Sequence, residues 1–274
     1  MSVSAAEPHR TQALPERRVA EVHGVRRLGA YDLITARDPV DAPGPRPGQF
    51  YMLATGDRWG AGAGERPFLP RAFSHATARP HPGGGAELEF LLEDVGPGTH
   101  RLGELVAGDA LMLLGPLGAG FRPPVPDTRA LLVGGGIGVA PLLCLHRELG
   151  GGDQVLLGFR SAAHAAAAEL FGGGAQVVTE DGSAGTQGLV TEPLAAELDG
   201  DHAATVFACG PPAMLEAVRA LCAQRGVDCQ LALESGMACG FGACFGCVVE
   251  TLDGYQRVCV EGPVFAGSQL ARVT

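Results

Sequence analysis

The chain has 274 residues, of which 46% are hydrophobic, and a formal net charge of -10. This length and hydrophobic content suffice for two or three folded units, each with its own core. All twenty basic residues are arginine, which excludes a lysine Schiff base, a P-loop lysine and other lysine-dependent chemistry. The acidic balance and the lack of basic runs argue against nucleic acid or an anionic membrane surface as a partner.

The N-terminal segment, residues 1–16, is polar and without periodic pattern, and we expect a mobile tail there. The sequence contains neither a signal-peptide core nor an apolar run of membrane length, so we expect a cytoplasmic protein. Because that compartment is reducing, the eight cysteines are expected to bind metal or to stay reduced. Cys144, Cys222 and Cys229 are isolated in the sequence and are expected to be small buried hydrophobic residues.

Residues 17–122 consist of short apolar runs separated by turn residues. The runs are VAEVHGV, AYDLITA, QFYMLAT, RAFSHAT, AELEFLLEDV and DALMLLGPL. Such spacing is typical of an all-β barrel or sandwich. The loops at 41–49 and 56–67 are rich in Gly and Pro and are not expected to hold regular structure. A proline-dense joint at residues 122–126 ends this unit.

Residues 127–228 alternate between buried apolar strands and helical patterns, which predicts a parallel sheet covered on both faces. The predicted helices lie at about 139–149, near 162–170, near 188–198 and at about 212–224. The predicted fold class is therefore α+β and multidomain, with an antiparallel β-barrel, an α/β parallel-sheet domain and a small C-terminal lobe at 229–274.

The C-terminal lobe contains a cysteine-rich stretch at residues 234–263. The second half of this stretch is predicted to form two short strands, CVVETL and YQRVCVE, joined at Asp253-Gly254. Four cysteines, Cys239, Cys244, Cys247 and Cys259, have the spacing C-x4-C-x2-C-x11-C. This spacing is the plant-type ligand pattern for a 2Fe-2S cluster, whereas structural zinc usually takes paired C-x2-4-C knuckles. Interleaved glycines let the loop wrap a small centre and direct amide N–H groups at sulfur. Zinc, a disulfide and inert thiols remain alternatives.

A glycine-rich turn follows the first predicted strand of the second unit, where LLV runs into GGGIGVAPL at residues 134–142. A strand that ends in glycines at a helix N-terminus offers backbone room, free amides and a positive dipole end to a diphosphate. An ordinary tight turn without a ligand is the alternative. The later strand ends at 158–161, 179–182 and 208–211 lie where nucleotides bind in parallel sheets. Arg160 is placed to face an adenosine phosphate or ribose, or to be solvated.

The first unit carries weaker signals for a flavin. The stretch PRAFS at residues 70–74 places a cation, an aromatic ring and a hydroxyl on one extended segment. A guanidinium suits phosphate, and aromatic or polar groups suit the flavin ring. Residues 95–99, VGPGT, offer amides and a hydroxyl to a diphosphate. Each motif taken alone is a weak signal, and for R-x-F-S an ordinary exposed strand is an equal alternative.

Taken in chain order, the motifs R-x-F-S, G-x-G-T, G-P-L-G-x-G-F, G-G-G-I-G-x-A-P-L, C-G-P and the cysteine spacing resemble a known family. The chain resembles the electron-transfer subunits of class 1B dihydroorotate dehydrogenases, which are members of the ferredoxin-NADP reductase superfamily. The resemblance covers about residues 19–265. It departs from the family pattern at Ala72, where proline is frequent, at Pro212, in the N-terminal tail and in the insertion at 56–67.

The resemblance implies a site for each of three cofactors. FAD would be bound by Arg71, Phe73 and Ser74, with Gly98 and Thr99 near its diphosphate. The nicotinamide nucleotide would face Gly135, Gly136, Gly138 and Cys209, the last as a catalytic residue. The four spaced cysteines would hold the 2Fe-2S cluster. The domains would then be a FAD-binding barrel at 17–122, a NAD-binding domain at 127–228 and a cluster lobe at 229–274.

The same resemblance implies an activity and a partner. Electrons would pass from the FMN of a dihydroorotate-oxidising partner through the cluster and FAD to NAD+, in pyrimidine biosynthesis. The partner would be the catalytic dihydroorotate dehydrogenase subunit, in a heterotetramer.

Two other functions fit the same motifs. One is the reductase subunit of an oxygenase, a sulfhydrogenase or another NAD(P)-linked ferredoxin complex. Oxygenase reductases carry a complete ferredoxin domain, for which a gap of eleven residues before the last cysteine is too short. The other is a metal-binding scaffold without flavin.

Overall fold

The structure is a computed structural model that describes residues 16–40, 44–60, 67–200 and 203–273. The expected tail lies outside the described residues except for Glu16, which begins the first strand. Parts of the two Gly- and Pro-rich loops also lie outside them.

Six antiparallel strands close into a barrel in the order β1-β2-β5-β4-β3-β6, which confirms the predicted barrel. Each predicted apolar run supplies one strand. The strands are β1 Glu16–Leu28, β2 Tyr31–Asp38, β3 Phe50–Thr55, β4 Arg71–Pro80, β5 Ala86–Glu93 and β6 Ala110–Leu117. A short helix, α1 Pro97–Gly103, was not predicted; Pro97 stands at its first turn, where a missing N–H costs nothing.

The second unit is a seven-stranded sheet in the order β10-β9-β8-β7-β11-β12-β15. Its strands are β7 Arg129–Gly135, β8 Gln154–Phe159, β9 Ala175–Thr179, β10 Thr186–Gln187, β11 Ala204–Cys209, β12 Asp228–Ala232 and β15 Val264–Ala266. All neighbouring strands run parallel except β12 and β15. The predicted parallel sheet is thus confirmed, with one antiparallel edge strand.

The helices of this unit lie close to their predicted positions. They are α2 Val139–Glu148, α3 Ala162–Ala165, α4 Thr191–Leu198 and α5 Pro212–Arg225. The helix predicted near 162–170 is only partly α-helical, because the chain tightens into a 3-10 turn at Ala166–Phe171. In the part of the chain that the structure describes, we find no helix with the length and hydropathy of a membrane span.

Alternate residues of the central strands point to opposite faces of the sheet, and each face has its own cover. Leu132 packs with Leu142 of α2 and with Leu33 of the barrel in one apolar cluster. Leu131 packs on the other face with Leu215 of α5 and with Cys247 of the cysteine-rich stretch. Because the barrel and the sheet share a core cluster, burial of apolar surface fixes their relative position.

The C-terminal part is divided differently from the predicted lobe at 229–274. Strands β12 and β15 belong to the seven-stranded sheet and are direct neighbours in it. Residues 234–263, hereafter the cysteine segment, therefore leave the sheet after β12 and return to it at β15. The predicted hairpin is present within the segment, as β13 Val248–Thr251 and β14 Gly254–Arg257.

Candidate functional site

One cavity, hereafter the barrel-side cavity, lies where β4 meets the sheet and has a volume of about 230 Å³. Phe73 and Ser74 line it from the barrel, and Gly138 and Cys209 line it from the sheet. Four residues predicted from three separate motifs thus share one space. Most of its lining is apolar with a few polar groups, as in pockets that bind cofactor rings.

Arg71 lies beside the turn that begins α1. A Cβ atom on Gly98 would stand 2.4 Å from Nε of Arg71, so a side chain there would displace the guanidinium. The Arg71 guanidinium also lies 5.8 Å from the centre of the Trp59 ring, and its Nη1 donates to the Leu69 carbonyl at 2.6 Å. The Trp59 indole N–H is buried and has no hydrogen-bond partner within the described ranges. A cation, a helix N-terminus and an unpaired donor fit a phosphate-bearing ligand.

The Thr99 hydroxyl is engaged within its own turn. Its Oγ1 accepts hydrogen bonds from the backbone N–H groups of Val95 at 2.9 Å and Gly96 at 3.0 Å. Thr99 is also buried. Its contribution to a ligand site is therefore to hold the 95–99 turn in shape.

The second cavity, the sheet-side cavity, has a volume of about 600 Å³ at the carboxyl ends of the parallel strands. Gly135 and Gly136 line it, as do Arg160 and Glu180 at later strand ends. A Cβ on Gly135 would stand 2.5 Å from Sδ of Met214. The glycine turn thus packs closely against α5 while its far side faces the cavity, an arrangement that fits a diphosphate at a helix N-terminus.

Cys209 ends strand β11 and is 4% exposed. A Cβ on Gly138 would stand 2.5 Å from the Cys209 carbonyl oxygen, so the glycine turn and the end of β11 touch. Burial, followed by the nearby Glu234 carboxylate, raises the pKa of the Cys209 thiol well above its ordinary value. At neutral pH the group facing the cavity is therefore a protonated thiol.

The chain turns tightly around the cysteines because two of the segment's glycines adopt left-handed backbone. Gly240 has φ +79° and Gly242 has φ +87°. A Cβ on Gly240 would stand 2.5 Å from Cγ of Met52 in β3, and a Cβ on Gly242 would stand 2.6 Å from Cγ2 of Val260. Both positions therefore require glycine for conformation and for space.

The four predicted ligands lie as two neighbouring thiol pairs. The Cys239 thiol contacts that of Cys244, and the Cys247 thiol contacts that of Cys259. Cys244 is exposed, whereas Cys247 and Cys259 are each 2% exposed. Across the described ranges, no three His, Cys, Asp or Glu side chains are arranged closely enough to hold a single metal ion. The structure brings the ligands together in pairs.

The surroundings of Cys239 fit an iron–sulfur ligand. Burial raises the pKa of its thiol, but hydrogen bonds from the backbone N–H groups of Phe241, Cys244 and Ala243 and from the Cys244 thiol outweigh burial. The pKa of Cys239 falls to about 6 as a result. Amide donors directed at sulfur stabilise a thiolate, the form that ligates iron. The chemistry of the donor set therefore fits the predicted cluster.

Arg257 connects two parts of the cysteine segment that are distant in sequence. Its Nη2 lies 2.6 Å from Oε1 of Glu261, and its Nη1 donates to the Gly242 carbonyl at 3.3 Å. Its guanidinium lies 5.1 Å from the centre of the Phe245 ring. This side chain thus contacts both the end of the hairpin and the loop of residues 239–247, hereafter the cysteine loop.

Comparison with known proteins agrees with these sites. Residues 234–271 match the family model described as the iron-sulfur cluster binding domain of dihydroorotate dehydrogenase B. The chain is 37% identical over 227 residues to the dihydroorotate dehydrogenase B (NAD(+)), electron transfer subunit, of Clostridium acetobutylicum, which covers 82% of this chain and 86% of the relative. The chain belongs to the family of dihydroorotate dehydrogenase B electron transfer subunits. The subunit of the same name from Caldanaerobacter subterraneus subsp. tengcongensis is 37% identical over 231 residues, 81% of this chain and 85% of the relative.

Solved structures share the fold of this electron transfer subunit at lower identity. An NADH-dependent reduced ferredoxin-NADP oxidoreductase, studied for flavin-based electron bifurcation, superposes with a TM-score of 0.75 at 24% identity and covers 96% of this chain and 91% of its own. A ferredoxin NADP+ reductase from Neisseria gonorrhoeae with bound FAD and NADP has a TM-score of 0.59 at 19% identity, with 77% and 92% covered. These structures support the fold, and the curated relatives confirm the resemblance to the electron transfer subunits that the sequence motifs indicated.

Sequence reasoning missed Glu234 as a site residue of the electron transfer subunit. Glu234 lines both cavities, and among the described residues only Ile137 does the same. Glu234 is exposed to solvent in the cleft, yet partial desolvation by the surrounding protein raises the pKa of its carboxyl. In the sequence, only its position at the start of the cysteine segment indicated a role for Glu234. No motif spacing identifies a single carboxylate as a site residue.

Arg160 lines the sheet-side cavity, and its guanidinium is paired there. Its Nη2 lies 2.5 Å from Oε1 of Glu93, a barrel residue, and 2.9 Å from Nε2 of His164. Tyr31, also from the barrel, lines the same cavity. The nucleotide site predicted for the sheet domain of this subunit is therefore walled by both domains.

The cysteine segment of the subunit also reaches the barrel-side cavity. Met237, two residues before Cys239, lines that cavity. Gly240 presses on Met52, whose strand neighbour Ala72 lines the cavity from β4. The cysteine loop, the barrel-side cavity and the sheet-side cavity are therefore contiguous, with Met237 and Glu234 at the two junctions.

Proposed function

We propose that the protein is the subunit that carries electrons from a dihydroorotate-oxidising FMN partner, by way of a 2Fe-2S cluster and FAD, to NAD+ in pyrimidine biosynthesis. The supporting observation is the contiguity of the cysteine loop with the two cavities. Electron transfer needs its centres close together, and this chain has its three candidate sites in a row. The division into FAD-binding, NAD-binding and cluster-binding parts follows from that order.

Each cofactor has a proposed set of holding residues. Arg71, Phe73 and Ser74 would hold FAD, with Gly98 and Thr99 shaping the turn at its diphosphate. Gly135, Gly136, Gly138 and Cys209 would hold the nicotinamide nucleotide, and Cys239, Cys244, Cys247 and Cys259 would hold the cluster. When bound, a flavin exchanges one or two electrons, a nicotinamide takes a hydride, and a 2Fe-2S cluster carries single electrons.

Two side chains that line the barrel-side cavity, those of Cys209 and Glu234, can each hold a proton. Cys209 keeps its proton because burial raises its pKa, so it presents a neutral thiol to the barrel-side cavity. The raised pKa of Glu234 makes this carboxyl the one group at both cavities suited to hold a proton. We assign Cys209 to positioning through close packing on the glycine turn, and Glu234 to proton holding between the sites.

The outer face of the cysteine segment is suited to a protein partner. Phe245 is 62% exposed, Leu252 is 68% exposed and Tyr255 is 77% exposed. Exposed apolar and aromatic side chains gathered in one segment are typical of interaction surfaces. Cys244 is exposed among them. We infer that the catalytic dihydroorotate dehydrogenase subunit covers this face, in a cytoplasmic heterotetramer.

Metal and flavin analysis of the purified chain tests the cofactor assignment. We expect about two iron atoms and one FAD per chain, with the absorbance of both groups, since a plant-type ligand set holds a 2Fe-2S cluster. Zinc without flavin would instead support the metal-binding scaffold. Such a scaffold would also lack NADH-dependent reduction of an artificial acceptor.

Co-expression with the FMN-containing catalytic chain tests the partner. We expect a stable complex that reduces NAD+ with dihydroorotate. Leu252→Ser and Tyr255→Ser should weaken assembly by about tenfold or more, because interface energy concentrates in a few apolar residues. Val106→Ser, which changes a barrel residue that is 62% exposed, is the matched control. Assembly with a different electron-accepting chain and not with this one would favour the rival reductase function.

A further inference from the structure

The strongest unexplained feature of the sheet-side cavity is the Tyr31 hydroxyl. Tyr31 is 0% exposed, and its hydroxyl has no hydrogen-bond partner among the described residues. A buried polar group without a partner destabilises the folded protein. Such a group is tolerated when its partner is a molecule that the protein binds.

The position of Tyr31 is fixed by contacts between the two domains. The turn before it docks on α3, where the Ala30 N–H donates to the Ala163 carbonyl at 2.8 Å. Gly29 lies so close to Ala163 that a side chain there would collide with its carbonyl. The Tyr31 ring also packs edge-on against His164, with ring centres 5.7 Å apart. The hydroxyl therefore has little freedom to find another partner within the protein.

The hydroxyl points toward the glycine turn of the cavity. A Cβ atom on Gly136 would stand 3.9 Å from the Tyr31 oxygen, with no other atom nearer. Gly136 has φ +55° and opens the short 3-10 turn that leads into α2. An acceptor lying on this turn is thus within reach of both the turn and the tyrosine.

The chemistry of the tyrosine limits what it can bind. Burial raises the pKa of Tyr31, and the Glu93 carboxylate raises it further, so the hydroxyl stays protonated at neutral pH. A protonated phenol donates one hydrogen bond without adding negative charge. An anionic oxygen is its best acceptor, because hydrogen bonds to charged groups are about twice as strong as neutral ones.

We propose that Tyr31 is a binding residue for the diphosphate of the dinucleotide in the sheet-side cavity, to which its hydroxyl donates a hydrogen bond beside Gly136. This inference rests on the proposed function, because it takes the ligand to be a pyridine dinucleotide. It assigns to the barrel a direct contact with the ligand of the sheet domain. Dinucleotide binding then also joins the two domains more firmly.

Tyr31→Phe tests the assignment, with Tyr51→Phe as the matched control. The Tyr51 hydroxyl is also buried, but it is hydrogen-bonded to Arg18 inside the barrel. Binding of NADH, ADP-ribose and adenosine to each full-length protein with its cofactors is measured by calorimetry. We expect Tyr31→Phe to weaken NADH and ADP-ribose about tenfold, as for loss of one charge-assisted hydrogen bond, and to leave adenosine unchanged.

The melting temperature supplies a second readout. Without nucleotide, Tyr31→Phe should not lower it, because the hydroxyl has no partner to lose, whereas Tyr51→Phe should lower it without changing nucleotide affinity. Unchanged NADH and ADP-ribose affinity in Tyr31→Phe would overturn the proposal. So would a loss for NADH alone, which would place the contact at the nicotinamide side. Failure of the wild-type protein to bind NADH would instead refute the proposed function.

Discussion

Residues 234–263 supply all four predicted cluster ligands from one continuous stretch, whereas the two cavities take their walls from strands of both domains. In the cysteine segment, left-handed glycines and backbone amides shape the site. In the cavities, Phe73 comes from the barrel and Cys209 from the sheet, and a shared apolar cluster holds these domains together. The first site depends on local backbone conformation and the second on tertiary packing.

Because the two regions are built differently, we expect that cluster binding can be lost while the cavities keep their function, and the reverse. The segment leaves the sheet after β12 and returns at β15. It packs on one face of the sheet through Cys247, whereas the apolar cluster that joins Leu33 of the barrel to the other face contains no residue of the segment. The following variants separate the two regions, beginning with the largest expected effect.

Cys247→Ser should abolish cluster binding, because serine replaces a buried thiolate ligand. Iron content should fall from about two atoms per chain to near zero, and transfer to the catalytic partner should be lost. NADH-dependent reduction of a small artificial acceptor should persist, since the cavities do not use Cys247. Iron analysis and the two assays check this.

Cys144→Ser is the matched control for that experiment. Cys144 lies outside the cysteine segment, with its sulfur 3.2 Å from Nε2 of His75, and a serine hydroxyl can keep this contact. Its iron content should equal that of the wild-type protein. Loss of artificial-acceptor activity in Cys247→Ser would show that the two regions depend on each other.

Gly240→Ala should destabilise the segment by about 1–3 kcal/mol and lower cluster occupancy several-fold. An alanine there would adopt a left-handed backbone, and its Cβ would collide with Met52. Gly236→Ala, in the same segment, meets no atom within 4 Å and should be neutral or slightly stabilising. Equal iron retention by the two variants would contradict the role given to the left-handed turn.

The contrast between the regions also explains what the sequence could predict. The four ligands, the glycine turn at 134–138 and Phe73 with Ser74 belong to local motifs, and local spacing carries their chemistry. The strands and most helices follow from hydrophobic periodicity in the same way. Tyr31, Glu93 and Glu234 belong to no motif; they become site residues only when distant parts of the chain meet. Helix α1 was missed because Gly and Pro at 96–98 indicate a turn as readily as a helix start.

Glu234→Gln should stabilise the protein near pH 7 and have no effect at low pH. Burial raises the pKa of this carboxyl in the folded protein above its ordinary value of 4.5. Between those two pKa values the folded state binds more protons than the unfolded state, so wild-type stability falls as pH rises through that window. Below about pH 4.5 both states are protonated and the advantage of glutamine disappears.

Urea unfolding of the wild-type and variant proteins at several pH values measures the Glu234 effect. Glu250→Gln, in the exposed hairpin, is the control and should leave the free energy of unfolding unchanged. A Glu234→Gln variant that is less stable than wild type near pH 7 would mean that the carboxylate has a stabilising partner. The cavity junction would then be a structural ion site and not a proton-holding one.

Arg257→Met should produce the smallest effect, a slight loss of stability confined to the cysteine segment, because partly exposed ion pairs contribute little. It removes the contacts with Glu261, the Gly242 carbonyl and Phe245 while keeping an apolar side chain over the ring. Iron should therefore leave the variant a few-fold faster in the presence of a chelator, while NADH affinity stays unchanged. Arg26→Met breaks a more exposed ion pair with Glu169, remote from the segment, and should release iron at the wild-type rate. If both variants released iron equally fast, Arg257 would be an ordinary surface ion pair, and the segment would owe its shape to the glycines and cysteines alone.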